Sequence, residues 1–407
     1  MSLLQSARTA WKALLPEKAR RVFQPALALA LNGWVRRQAY APHAAEALGG
    51  PIRVVGYFGQ SHGIAASARL AVRAFQALGV PVEAVDISDA QLNWTGTGQD
   101  RPPGPWIFHL NPPELLAAMA HLGPTGLSGP RYGYWAWELP KAPASWLKDG
   151  RLVDEIWAPS SYTAAALAHA QAPVRVVPHP LFLEDYTGTV AAHRTAAFLA
   201  VSLFDFNSSL ARKNPMGAIS AFAEAFGPDP TARLILKTQN GHLHPDHLAK
   251  LKATAPANVE ILDVAWPYGE VKSLIAAADV LISLHRAEGF GLTPAEAMAL
   301  GTPVIATGWS GNLDFMDEGS ALLIASKPIA VEDAQGIYRG QSWADPDVAA
   351  AARALRRLRQ DPALGHTLAA AARKKIGQHL SPQAWFTTLP HGLQRTALAA
   401  TRGLTGL

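Results

Sequence analysis

The stretch DVLISLHRAEGFGLTPAEAMALGTPVIATGW, residues 279–309, decides the fold. DVLISLH is a short apolar run, the length of a buried strand. EGFG is a turn, TPAEAMALG a helix ended by glycine, and PVIATGW a second apolar run. A strand, a helix and a strand in about thirty residues form a parallel βαβ unit covered on both faces. The turn carries one acid at each end, Glu288 and Glu296, around Gly289, Gly291 and Pro294.

The same alternation extends in both directions. Upstream, IRVVGYF (52–58), VEAVDIS, WIFHLN (106–111), YGYWAW (132–137), EIWAPS (155–160) and VRVVPHP (174–180) read as strands with helical segments between them. A polar, small-residue stretch at 183–196 reads as a linker. The pattern then restarts with AFLAVSLF (197–204), ARLILKT, VEILDVAW and DVLISLH. The chain ends in helical sequence from DPDVAAAARALRRLRQDP onward. The expected organisation is a basic segment at 1–50, an α/β domain at 51–188, a second at 197–380, and a helical tail at 381–407 crossing back to the first. Two doubly wound, Rossmann-like domains place a ligand cleft between the C-terminal ends of their strands.

Composition agrees with a folded chain: 49% hydrophobic and 16% charged residues in 407 positions exceed what one ordinary core holds. No cysteine is present, which excludes disulfides, thiolate metal sites and a cysteine nucleophile. Residues 1–45 hold seven basic side chains against Glu17 alone, while the whole chain carries +5. Basic character is therefore local. It argues against a nucleic-acid-binding surface and leaves an anionic membrane as a partner for this segment. Leu4, Ala7, Trp11, Leu14 and Leu15 follow helical spacing, consistent with an interfacial helix or with ordinary packing. No run is long enough to span a bilayer. The expected location is cytoplasmic, with peripheral attachment to the inner face of the cell membrane a further expectation.

No P-loop and no G-x-G-x-x-G fingerprint is present, so the opening turn is read for itself. Thr293, Pro294 and Glu296 fit N-cap, N1 and N3 of a capping box. That accounts for Glu296 and leaves Glu288 and the glycines unexplained. Amides of Phe290, Gly291 and Leu292 at a helix start make an anion site. Carboxylates on either side of a bound phosphate would accept hydroxyls. Hydroxylated rings on both sides of a phosphate linkage describe a nucleotide sugar.

HRAEGFGLTPAEAMALGTPVIATGWSGN resembles the E-x7-E segment of retaining glycosyltransferases of the GT-B fold, in particular glycosyltransferase family 4. The resemblance implies an α/β GT-B fold and an enzyme that transfers a sugar from a nucleotide donor to a glycan or lipid-linked hydroxyl. It implies that Glu288 contacts the donor sugar, Glu296 the ribose, and the amides between them the diphosphate. It implies no metal cofactor.

SSLARKNP (208–215) supplies Arg212 and Lys213, cations suited to the charge of a departing diphosphate. The family's usual arginine near this strand end is replaced here by Phe204 or Asp205, leaving Arg212 as the substitute candidate. GWSGNLDFM (308–316) adds Asn312. In the first domain, GYFGQSHGIAASAR (56–69) resembles the family's first strand-turn and offers Gly59, Gly63 and His62. Glu138, near the family's sugar-contacting histidine position, and His109 are further donor-binding candidates. Trp266, in the nucleobase region, and the stretches around 160 and 179 read as structural. The alternatives are an epimerase or phosphorylase on the same fold, or a non-catalytic sugar-nucleotide-binding partner protein.

Overall fold

The computed structural model describes residues 30–39, 50–60, 63–88, 101–193, 197–332 and 338–405. Two parallel six-stranded sheets form its frame. The first contains β1 (Ile52–Gly56), β2 (Val82–Asp86), β3 (Trp106–Phe108), β4 (Arg131–Tyr134), β5 (Glu155–Ala158) and β6 (Val174–Val176), in the order β2-β1-β3-β4-β5-β6. The second contains β7 (Phe198–Leu203), β8 (Ala232–Thr238), β9 (Val259–Asp263), β10 (Val280–Ser283), β11 (Val304–Thr307) and β12 (Leu322–Ile324), in the order β12-β11-β10-β7-β8-β9.

Strand sequence explains the parallel sheets. Every residue of β1 is buried, which suits the apolar Ile52, Val54 and Val55 on both faces, while the buried Arg53 is paired with Glu83 at 2.9 Å. The helix Gly63–Ala77 turns Ala65, Ala68, Ala71 and Ala74 inward and lies close to β1. A Cβ on Gly56 would come 2.7 Å from that of Ala68, so a side chain at 56 would push helix and strand apart.

Strand order also fixes where a site can form. In the second sheet the winding reverses between β7 and β10, and in the first between β1 and β3. At such a reversal, successive connections leave on opposite faces and open a crevice beyond the strand ends. The loops after β7 and β10 thus meet, although Lys213 and Glu288 lie 75 residues apart.

The tail crosses between domains. After the helix Pro362–His379 on the second domain, Trp385, Leu389, Leu393 and Ala397 enter the core of the first beside Val54 and Phe75. Trp385 meets the edge of Phe75 at 5.0 Å between centroids, and truncating so large a buried ring costs about 3–5 kcal/mol. Helix 30–39 docks on the first domain through buried Val35 and Ala39, and Arg36 forks onto Asp149 at 2.7 and 2.9 Å. The remainder of the basic segment, with its helical pattern at 4–15, lies outside the described residues, as does His62.

Two elements have no counterpart in the sequence reading: the edge strand β12 and a hairpin after it. β13 (Ser326–Ala330) and β14 (Ser342–Pro346) pair antiparallel, and Trp343 of β14 joins a buried cluster with Trp137 and Leu139 of the first domain. Asp345 and Pro346, read above as helix, belong to β14, so the helix starts at Val348 with Asp347 as its N-cap.

Candidate active site

Two loops are stitched together before any functional side chain is placed. Asn214 adopts φ 50°, caps the helix Pro215–Phe226 by accepting from Gly217 N, and donates Nδ2 to Leu284 O at 2.9 Å. The backbone N–H of Arg286 donates to Arg212 O at 2.7 Å, and its guanidinium donates to Ala211 O. These bonds join the segment after β7 to the segment after β10.

Arg212, Lys213 and Glu288 converge there. Lys213 Nζ lies 2.5 Å from Glu288 Oε1, and Arg212 Nη1 lies 3.4 Å from Oε2. Glu138, from the first domain, approaches Arg212 Nη2 at 3.7 Å. Burial alone would raise the Glu288 pKa, but Lys213, Arg212 and His285 together bring it down to about 2. Arg212 is buried, which opposes its charge, yet the two acids hold its pKa above the ordinary value. Its Nη1 donates to Ala287 O and its Nη2 to Ser208 Oγ, while Nε has no partner among the described residues. The cluster is thus two carboxylates around two cations.

The turn is held from both sides. Ser310 Oγ accepts from Glu288 N at 2.9 Å, and Glu288 O accepts from Gly311 N at 3.0 Å. Gly311 must be glycine, because a Cβ there would sit 2.2 Å from Gly289 O. From the first domain, Ser160 Oγ donates to Gly289 O at 2.6 Å and Thr163 Oγ1 at 3.2 Å. Ser160 and Thr163, read above as structural, are therefore part of the site's frame.

The helix after the turn starts earlier than its capping pattern predicts. It spans Leu292–Leu300 with Gly291 as N-cap at φ 96°, and no side chain caps it. Thr293 and Pro294 are therefore N2 and N3, and Glu296 lies beyond the first three positions. Because Gly291 takes a left-handed conformation open to it, the backbone enters the helix two residues sooner. The consequence is chemical. The amides of Phe290, Gly291 and Leu292 have no acceptor among the described residues. Such an array, with a helix dipole behind it, is suited to a phosphate.

Glu296 does something other than capping. Its Oε1 accepts from Tyr268 OH at 2.6 Å. Burial raises its pKa to about 7, partly offset by that bond and by Lys272.

The other sequence candidates divide. Asn312 is fully buried and its carboxamide is spent internally: Nδ2 donates to Thr307 O at 3.0 Å and Oδ1 lies 3.1 Å from His285 Nε2. It shapes the turn by locking the neighbouring loop. Gly59 is exposed and donates to Ser88 Oγ, and Gly63 begins its helix with open space around it. Neither touches the acid–cation cluster. His109 is buried, its Nδ1 is 2.8 Å from Ser67 Oγ, and burial takes its pKa down to about 3. It reaches the turn only through a relay of rings: it stacks on Tyr134 at 4.5 Å, Tyr134 OH meets His179 Nδ1 at 3.2 Å, and His179 stands edge-on to Phe290 at 4.7 Å. Asp205 is engaged by Gln239 and Asn240, so only Arg212 of the arginine alternatives enters the cluster. Sequence reasoning also missed Tyr338, whose OH donates to Glu138 Oε2 at 3.4 Å and whose ring meets Trp137 at 5.6 Å.

Residues 207–375 match the family model described as glycosyl transferases group 1. No curated protein sequence matches the chain. Among solved structures, the sucrose-phosphate synthase of Thermosynechococcus elongatus is similar at TM-score 0.62 and 16% identity, over 88% of this chain and 99% of that one. Anabaena HepE in complex with UDP-glucose is similar at TM-score 0.58 and 16% identity, over 88% of this chain and all of that one. TarM of S. aureus in complex with UDP is similar at TM-score 0.53 and 11% identity over 72% of this chain, which spans about half of TarM. The fold is that of these GT-B proteins.

Proposed function

We propose that this GT-B glycosyltransferase binds a nucleotide sugar across the turn 288–296 and transfers the sugar, with retention, to a hydroxyl of a glycan or lipid-linked acceptor. One observation carries the reading: three amides without an acceptor among the described residues, Phe290 to Leu292, lie between an acid–cation cluster and a second acid. The amides take the diphosphate, Glu288 the sugar hydroxyls, and Glu296 the ribose. Retention and the assignment to family 4 rest on the E-x7-E pattern. The bound UDP in HepE and TarM favours a uridine nucleotide.

In the free protein both Glu288 oxygens face cations. An arriving diphosphate gives Lys213, a partly exposed and flexible side chain, a stronger anionic partner. Glu288 is then released to accept hydroxyls from the sugar. Arg212 is buried and stays fixed by Ala287 and Ser208. As the bond from the anomeric carbon to phosphate breaks, charge grows on the leaving oxygens, and Arg212, Lys213 and the amides stabilise it more than the ground state. The acceptor oxygen bonds to that carbon from the same face and its proton passes to a phosphate oxygen. No flanking carboxylate pair is needed, in contrast to most glycosidases. The hydrogen bonds of Ser160 and Thr163 to Gly289 O tie the turn to the first domain while the donor is held.

Among the described residues no helix is long and apolar enough to cross a membrane. The basic segment 1–45 supports a membrane-surface acceptor by attraction to anionic lipid. Incubating the protein with a panel of uridine and guanosine diphosphate sugars tests the reading. Release of free sugar and nucleoside diphosphate from one donor, and transfer with the α or β configuration preserved, supports it. Binding without turnover favours a non-catalytic partner protein.

A further inference from the structure

Glu296 is one end of a hydroxyl chain that leads out of its own domain. Tyr268 OH donates to Glu296 Oε1, and Tyr186 OH lies 3.0 Å from Tyr268 OH. Since Tyr268 spends its proton on the carboxylate, Tyr186 is the donor to Tyr268. Tyr186 belongs to the short turn Leu183–Tyr186 between the two sheets. That turn is fastened on both sides. Lys272 Nζ donates to Asp185 O at 2.7 Å from the second domain, and Arg73 pairs with the Asp185 carboxylate from the first.

The chain occupies one Glu296 oxygen and leaves Oε2 without a partner among the described residues. The other charges around the helix Leu292–Leu300 are committed elsewhere. Lys272 stands over the Tyr186 and Tyr268 rings, Arg373 donates to Ala299 O and Thr187, and Lys375 pairs with Asp317. Among the described residues, Tyr268 is the hydrogen-bond partner of the carboxylate.

We infer that Tyr268, backed by Tyr186, is a positioning residue for nucleotide recognition: it pins one oxygen of Glu296 so that the other meets the ribose diol, and it ties that acid to the interdomain turn. The inference rests on the ribose role given to Glu296 above. It adds a residue that the motif does not contain, and it explains a tyrosine that is 48% exposed but whose hydroxyl is engaged twice. Loss of the hydroxyl removes a donor that favours the carboxylate, so Glu296 would ionise at a higher pH than its present value near 7.

The test is titration of the full-length protein with UDP and with 2′-deoxy-UDP, and with the GDP pair, from pH 6 to pH 9. The wild type binds the ribonucleotide more tightly than the deoxynucleotide. Glu296→Gln abolishes that preference; if it does not, the ribose reading itself fails and this inference with it. Tyr268→Phe keeps the ring and the Lys272 contact. It weakens ribonucleotide binding about tenfold, narrows the ribo-to-deoxy ratio, and moves the pH midpoint of binding upward. Tyr186→Phe moves it the same way by less. A Tyr268→Phe protein with the wild-type ratio and midpoint, beside a Glu296→Gln protein that has lost the preference, would overturn the inference and leave the ribose role intact.

Discussion

Lys213 Nζ and Glu288 Oε1 are 2.5 Å apart across 75 residues of sequence, and the reversal of winding between β7 and β10 is what brings them together. This pair is the counterion arrangement of the free site. On the proposed function, a diphosphate would compete with Glu288 for the lysine.

On the proposed mechanism, replacing Lys213 removes a cation that stabilises the transition state. Lys213→Ala is expected to lower kcat for transfer about 100- to 1,000-fold, the scale seen when one donor to a developing charge is lost. Because Lys213 is the largest charge holding the buried Glu288 carboxylate ionised, the melting temperature at neutral pH should fall as well. Initial rates at saturating donor, together with a thermal melt, check both halves.

Glu288 has a pKa near 2 in the folded chain against an ordinary 4.5. A depressed carboxylate contributes stability that is complete above about pH 4.5 and is lost as pH falls towards 2. Glu288→Gln should abolish transfer, lower stability at neutral pH by a few kcal/mol (about 3) because buried Arg212 loses an acid, and flatten the acid limb. Urea titrations between pH 2.5 and 7 measure that limb in both proteins.

Glu296 behaves in the opposite sense. Its folded pKa of about 7 lies above the ordinary 4.5, so the folded state is penalised as pH rises through that interval. Glu296→Gln is expected to stabilise the free protein at pH 8 by roughly 1–3 kcal/mol, a gain of a few degrees. The same change should weaken nucleotide binding. Calorimetric melts with and without UDP read the two effects separately.

Gly311→Ala forces a Cβ to within 2.2 Å of Gly289 O, a backbone atom that cannot swing aside. The turn must deform and the three amides lose their alignment. Donor KM should rise at least tenfold with secondary structure retained by circular dichroism, whereas Gly63→Ala, in open space, should leave the fold and KM near wild type.

Much of this was legible in the sequence. Apolar runs of strand length with helical stretches between them announced two parallel sheets, and the glycines and acids of 288–296 announced the turn. The capping register was not legible, because Thr293, Pro294 and Glu296 fit a capping box while the left-handed Gly291 starts the helix earlier. Nor was the hairpin β13–β14, whose strands each contain a proline and show no clean alternation. Tyr268, Tyr338, Ser160 and Thr163 act through partners far along the chain, and no local pattern marks them.

The central claim is tested most directly by a crystal structure of the protein with an unhydrolysed nucleotide sugar bound. The account predicts the diphosphate on the amides of Phe290, Gly291 and Leu292, Lys213 turned from Glu288 to phosphate, the sugar at Glu288 and the ribose at Glu296. A donor lodged elsewhere, with Lys213 still on Glu288 and those amides empty, would contradict it.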